Sequence, residues 1–383
     1  MMKKIPYGRQ DIEDYEIQEV VKVLKSDYLT QGPEVNKFEL EFAKYVGAKY
    51  AVAVSNGTAA LHLSCLALEL AKGDRVLTTP ITFSASANCV QYCGAETDFV
   101  DINPDTFLMD LDLVDKKIKS KPKGYYTGIV AVDFTGMPID TQKLKTIANS
   151  NNMWIIEDAC HAPGGFFLNS DNLKVRCGSS IYSDLTCFSF HPVKHIACGE
   201  GGMITTNNKD LYNKLKLLRT HGITKEGLTH PHGGWYYEMQ SLGYNYRLPD
   251  INCALGITQL KKLDVNIQKR KLIAERYNVA FKYCNKIKIQ HQPNNFSNAF
   301  HLYIIEVDDR KEFYDYLVEN QILPQIHYIP VHLMPYYKNK GYKIGDFPLS
   351  EDYYNRCISL PIFPSLKEDE LSYVIDKVLD FFK

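Results

Sequence analysis

Short apolar runs alternate with helix-like stretches through the first half of this chain, and few folds accommodate that alternation. YAVAV at Tyr50–Val54 leads into SNGTAALHLSCLALEL, and RVLTTP leads into ITFSASANCVQYCG. ETDFVDI, GIVAVDFTG and MWIIED follow, with helical patterns at 111–119 and 140–149 between them. A run that is apolar on successive residues is buried on both faces, which a parallel sheet covered by helices provides. The chain is therefore predicted to be α/β, with a mostly parallel sheet and helices on both sides.

At 383 residues the chain exceeds one small core, and it divides into a large domain at 1–255 and a smaller α+β domain at 256–383. Helices are predicted at 11–25, 33–46 with Gly47 as C-cap, 209–221, 310–320 and from 369 onward, with a long helical segment from 251 linking the domains. Between them, THGITKEGLTHPHGGWYYEMQSLGYNYRLPD has little periodicity, and a loop of that length suits a functional arm or a contact between subunits.

The net charge of -1 and the absence of a dense Lys/Arg block remove the attraction that drives binding to nucleic acid or anionic membranes. No apolar h-region follows MMKKIPYGRQ and no apolar run reaches about 18 residues, so a cytoplasmic protein is expected. The 10 cysteines lack paired C-x2-C spacing. They read as reduced thiols; Cys89 and Cys93, the nearest pair, are expected to lack a His or Cys partner. His230 and His232 have no further ligands at suitable spacing, so no metal is expected.

Candidate chemistry clusters where strands end. Lys194 lies on a loop between CFSF and a glycine cluster at Gly199, Gly201 and Gly202; it is either an ordinary loop cation or a desolvated amine able to form an imine. Ser55 to Thr58 sit where a strand turns into a helix, and Gly57 and Thr58 are either a plain cap or an anion cradle. Phe83 is either a core aromatic or a stacking surface. Asp158, at the carboxyl end of WIIED, is either half of a structural ion pair or a partner for a bound cation. Pyridoxal 5′-phosphate (PLP) needs an anion cradle, a ring face, a carboxylate at its pyridinium nitrogen and an imine-forming amine, and Ser189 and Lys194 complete that set.

The motifs SNGTAALHL, TPITFSASAN, EDACHAPGG, FSFHPVK with GEGG after it, and LGYNYRL, with YLTQG and QIHYIPVH near the ends, resemble the sugar aminotransferases of the DegT/StrS family. The resemblance implies a fold-type I PLP-dependent transferase whose large domain holds a mostly parallel, seven-stranded sheet. It implies that Lys194 carries PLP, Asp158 pairs with the pyridinium nitrogen and His161 lies beside the ring oxygen. Phe83 would stack on the ring, Gly57, Thr58 and Ser189 would hold the phosphate, and Asn245 from a second subunit would complete it in a homodimer with shared sites. Tyr7, Asp27, Tyr28, Leu29, Thr30, Ile326, His327, Tyr328 and Ile329 are the implied sugar contacts. The wording is most similar to the branch that moves the amino group of L-glutamate to C4 of a UDP-linked 4-keto-6-deoxy-N-acetylhexosamine in the pseudaminic acid pathway. Other nucleotide-linked keto sugars, a dehydratase and a non-catalytic regulator are the alternatives. HIAC after Lys194, where threonines are common in the family, departs from the pattern.

Overall fold

Valine, isoleucine and alanine on successive positions make strands only where both faces are covered. The computed structural model describes residues 4–383. Seven strands form the main sheet: β1 (Tyr50–Val54), β2 (Arg75–Thr78), β3 (Glu96–Phe99), β4 (Gly128–Val132), β5 (Trp154–Asp158), β6 (Leu185–Ser189) and β7 (Gly202–Thr206). Their order across the sheet is β1-β7-β6-β5-β4-β2-β3. Neighbours from β6 to β3 run parallel. β7 alone runs against both of its neighbours, as expected for a sheet that is mostly rather than wholly parallel.

Helix α1 (Asp14–Leu24) packs against the later helix at Asp250–Lys261, while α2 (Pro33–Val46), α3 (Gly57–Ala67), α4 (Ala85–Tyr92), α5 (Leu111–Lys119), α6 (Thr141–Ser150) and α7 (Lys209–Arg219) cover this sheet. Gly47 closes α2 with φ 85, a left-handed conformation that glycine adopts without strain. Asp250, fully buried, caps the start of the same helix from a distance, accepting from the Gly32 N–H at 2.8 Å and the Glu34 N–H at 2.9 Å. The loop carrying YLTQG is therefore tied to the start of the helix that begins at Asp250.

The long helix expected from 251 is two helices, α8 (Asp250–Lys261) and α9 (Leu263–Phe281). They break at Lys262, whose Nζ donates to Asp11 O at 2.7 Å and Glu16 Oε2 at 2.6 Å. Ile257 and Leu260 of α8 and Leu263 and Ile267 at the start of α9 lie in one core with Phe38 and Phe42, whereas Ile273, Tyr277 and Phe281 further along α9 lie in another with Ile305 and Leu317, so α9 itself passes from the first core to the second. The expected boundary at 255/256 falls inside α8.

The second core supports a three-stranded sheet of β8 (Lys288–Ile289), β9 (Tyr303–Glu306) and β10 (Cys357–Leu360), packed by α10 (Arg310–Glu319) and the last helix, α11 (Glu368–Phe381). Ile5–Pro6 pairs in parallel with Ile322–Leu323, so the start of the described chain joins this second core. Regular structure in the 221–249 segment is limited to the two-residue pairing of Ile223–Thr224 with Glu238–Met239 and an isolated bridge from Asn245 to Thr220. It exposes Trp235 at 72% and Leu242 at 78%. Among the described residues no helix is long and apolar enough to cross a membrane.

Candidate active site

In an open α/β sheet the carboxyl ends of the strands are where backbone turns leave room for a ligand. Here β5 ends at Asp158, β6 ends at Ser189, and β1 leads through Asn56 to Gly57 at the start of α3. These ends open into a cleft of about 890 Å³. Gly57, Thr58, Phe83, Asp158, His161, Ser189 and Lys194 all line it, together with Tyr7, His327 and Tyr328 from the expected sugar contacts.

The first turn of α3 faces the cleft. Asn56 Oδ1 accepts from the Ala59 N–H at 2.8 Å, while the first N–H groups of a helix have no partner within it. A Cβ on Gly57 would lie 2.9 Å from Ser189 Cβ, so glycine lets the helix end approach β6 closely. The plain-cap and anion-cradle readings coexist, since Asn56 does the capping and Gly57 and Thr58 stay turned to the cleft.

Asp158 is 5% exposed. Its Oδ2 accepts from Ser86 Oγ at 2.6 Å and its Oδ1 from the Cys160 N–H at 3.2 Å. Thr82 Oγ1 lies 2.7 Å from Ser86 Oγ and extends the chain of hydroxyls. Among the described residues Asp158 makes no ion pair, so the structural ion pair is not formed. A buried carboxylate held by neutral donors favours a cation in the cleft beside it.

Lys194 follows β6 with its backbone N–H bonded to His191 O at 2.8 Å. Burial pulls its amine down to about 8, against the pull of Cys160 and Asp158 in the other direction. Its Nζ stands 3.5 Å from His301 Nε2. His161 packs on His301 with ring centroids 4.3 Å apart, and its Nε2 lies 3.2 Å from the Tyr328 hydroxyl. Burial holds His161, His195 and His301 well below the usual histidine range, so all are neutral at pH 7. Phe83 is not core: it is 59% exposed, with its ring 6.1 Å from Tyr328 across the cleft.

These groups fit PLP. A helix start backed by a glycine that no larger residue could replace without a clash suits the phosphate, and the buried carboxylate suits a protonated ring nitrogen. The amine that titrates near neutrality suits an imine.

Other expected residues lie elsewhere in this chain. Asn245 is exposed and forms an isolated bridge with Thr220. Asp27, Tyr28, Leu29 and Thr30 are exposed near Asp250, away from the cleft lining. Ile326 packs into core, and Ile329 is exposed outside the lining. Conversely, the sequence reading missed Ser86 and His301. Ser86 carried a signal, standing three residues after Phe83 in TFSASAN; His301 opened HLYIIEV with nothing to mark it.

The thiols also differ from expectation. Cys89 and Cys93 on and after α4 do have partners: Cys65 and His62 on α3. Hydrogen bonding to Cys65, then to His62, pulls the Cys93 thiol to about 6. Behind the cleft, buried Asp133, Glu157 and Cys177 bring potential ligand atoms within 4.8 Å of one another. Burial raises both carboxyls, and Glu157 accepts from Thr186 Oγ1 at 2.8 Å, so protons and hydroxyls hold that cluster.

Known proteins match the chain over nearly its whole length. The pattern of the DegT/DnrJ/EryC1/StrS aminotransferase family matches residues 10–379. The spore coat polysaccharide biosynthesis protein SpsC of Bacillus subtilis is 38% identical over 389 residues, covering 99% of this chain and 97% of that one. The UDP-4-amino-4,6-dideoxy-N-acetyl-beta-L-altrosamine transaminase of Campylobacter jejuni is 36% identical over 389 residues, covering 99% and 98%. In structure the chain is similar to Spr1654 of Streptococcus pneumoniae in its PMP form, with a TM-score of 0.89 and 30% identity over 97% of this chain and 98% of that one.

Proposed function

The chain belongs to the DegT/DnrJ/EryC1/StrS aminotransferase family, and from that premise we propose that it moves the amino group of L-glutamate to C4 of a UDP-linked 4-keto-6-deoxy-N-acetylhexosamine, as pseudaminic acid synthesis requires. The reaction class is that of a PLP-dependent sugar aminotransferase. One observation carries it on this chain: a half-buried lysine amine, titrating at about 8, faces the same cleft as a buried carboxylate. The similarity to the Campylobacter jejuni transaminase supports the choice of sugar.

Each residue then has a task. When bound, PLP supplies an electron sink for the pair left behind as the donor's Cα proton departs. Asp158 keeps a proton on the ring nitrogen by charge pairing, and Ser86 keeps Asp158 aimed there. Gly57, Thr58 and Ser189 would hold the phosphate, with Phe83 and His161 available to the ring. Lys194 would anchor the cofactor, and its free amine would take the donor's Cα proton and pass a proton on to the cofactor. A charged amine at neutral pH would do this poorly, and desolvation keeps a usable fraction of it neutral.

Tyr7, His327 and Tyr328 serve as sugar contacts from the same chain. Asn245, the run Asp27 to Thr30, Ile326 and Ile329 do not line their own cleft, which fits a homodimer in which Asn245 and the Asp27 to Thr30 loop reach the partner's cleft. The large domain at 1–255 and the small domain at 256–383 would then close on the substrate from two sides, in a cytoplasmic enzyme.

A second reading has its own support. SpsC, with 38% identity, bears a name tied to spore coat polysaccharide, which favours amination of another nucleotide-linked keto sugar. A panel of 4-keto UDP-, dTDP- and GDP-sugars with L-glutamate, read by 2-oxoglutarate release and by NMR of the product, decides between them. Amination of dTDP- or GDP-hexoses alone overturns the UDP-N-acetylhexosamine reading.

A further inference from the structure

His301 comes from outside the large sheet. It stands at the turn that opens β9, 4% exposed, and reaches into a cleft otherwise built on the strand ends of the main sheet. Its main chain needs no help from the ring. The Ala299 N–H donates to Gly136 O at 2.8 Å, and the Leu302 N–H to Thr135 O at 3.1 Å. Arg270 Nη1, from α9, donates to Phe300 O at 3.2 Å and His301 O at 3.4 Å. The turn is fixed without the imidazole, which leaves the ring's contact with Lys194 to be explained.

We propose that His301 positions the Lys194 amine for proton transfer, its Nε2 accepting one N–H of Nζ so that the amine's lone pair is left to face the cleft. This rests on the aminotransferase reading above. The groups around the ring agree with an acceptor. Lys194 and His195 face it from the loop after β6, His161 from the loop after β5, and Arg270 from α9. Burial first, and then the charges of Lys194 and the Arg270 guanidinium, disfavour a proton added to His301, so the ring stays neutral with one bare nitrogen. Among the described residues Nδ1 of His301 has no partner, and Nε2 has Lys194. Holding the amine in this way requires the Nδ1–H tautomer, whose bare Nε2 points its lone pair at the amine. In the transfer the Cα–H bond would break, Nζ would take that proton on its free lone pair, and one proton would then leave Nζ for the cofactor. The N–H held by His301 takes no part.

Two variants and one wild-type measurement test this in the full-length protein. His301→Phe keeps the ring volume and removes both nitrogens; His301→Gln carries an amide group near the position of Nε2. In single turnover with L-glutamate the Phe variant should be slowed roughly 100-fold, with glutamate affinity within about twofold and the α-deuterium isotope effect increased. The Gln variant should recover about tenfold of that loss. A folded Phe variant with unchanged rate and isotope effect overturns the proposal.

The wild-type measurement needs neither turnover nor a variant that folds. In cofactor-free protein with 15N-labelled histidine, His301 should show a bare Nε2 at pH 7. Its resonance should move as Lys194 titrates near pH 8, and that movement should vanish in Lys194→Met. An Nε2–H tautomer, an imidazolium, or no response overturns the proposal. If the glutamate half-reaction depends on His301 while no UDP-sugar is aminated, the sugar assignment fails and the role of His301 stands. Amination of the sugar with a rate indifferent to His301 is the opposite result.

Discussion

Lys194 is the residue where burial and chemistry meet. Its amine sits near 8 in the folded protein and near its ordinary 10.5 when unfolded. Between those values the unfolded chain binds more protons, so stability rises with pH through that window. In urea titrations of the cofactor-free protein, the excess stability of Lys194→Met over wild type should shrink from at most about 3 kcal/mol at pH 7 towards zero by pH 10.5. A difference that does not change with pH would show that the amine is not desolvated. Asp158 invites a second test at this scale. Ser86→Ala removes the 2.6 Å donor from a buried carboxylate. It should weaken PLP binding by about tenfold, read by absorbance titration, with little change in the thermal midpoint. Neither effect was legible in full. Asp158 and Lys194 stood out because a charged residue beside a strand-length apolar run is unusual. Phe83 pulled towards the core because an aromatic side chain carries no mark of facing a cleft. His301 was invisible because its neighbour Lys194, 107 residues away in sequence, is brought to it only by folding.

Among the elements, the start of α2 shows how a distant residue can finish a helix. Asp250 lies at the first turn of α8, yet its carboxylate accepts from the Gly32 and Glu34 N–H groups. Asp250→Ala leaves both donors short of a partner. It should lower stability by about 1–2 kcal/mol in urea unfolding, and increase proteolysis in the loop from Asp27 to Gly32. Asp250→Asn, which keeps an acceptor, should lose less. At the start of α3 the strain is steric. Gly57→Ala sets a methyl 2.9 Å from Ser189 Cβ, and should reduce PLP affinity more than it reduces the thermal midpoint. Strands such as β1, β4 and β6 were legible because their residues have no polar face to offer water. The break at Lys262 was not, because both sides of it are helical and the groups that hold Lys262 there, Asp11 O and the Glu16 carboxylate, come from a distant part of the chain.

For the whole molecule, the exposed arm from 221 to 249 carries Trp235 and Leu242 into solvent in the single chain. Apolar groups of that size favour an interface. Analytical ultracentrifugation should find a dimer, and Trp235→Glu with Leu242→Glu should shift it towards monomer together with a loss of PLP affinity. A protein that stays monomeric while binding PLP tightly would remove the shared-site scheme. The chain's path has a further consequence, one of time. Ile5 is buried in the second core and its strand partner is Ile322. A ribosome adding about 5–20 residues each second makes that partner roughly 15–60 s after Ile5 is made. Throughout that interval the β1–β7 sheet can assemble, while the first strand of the chain waits unpaired, exposed to any chaperone or protease that meets it.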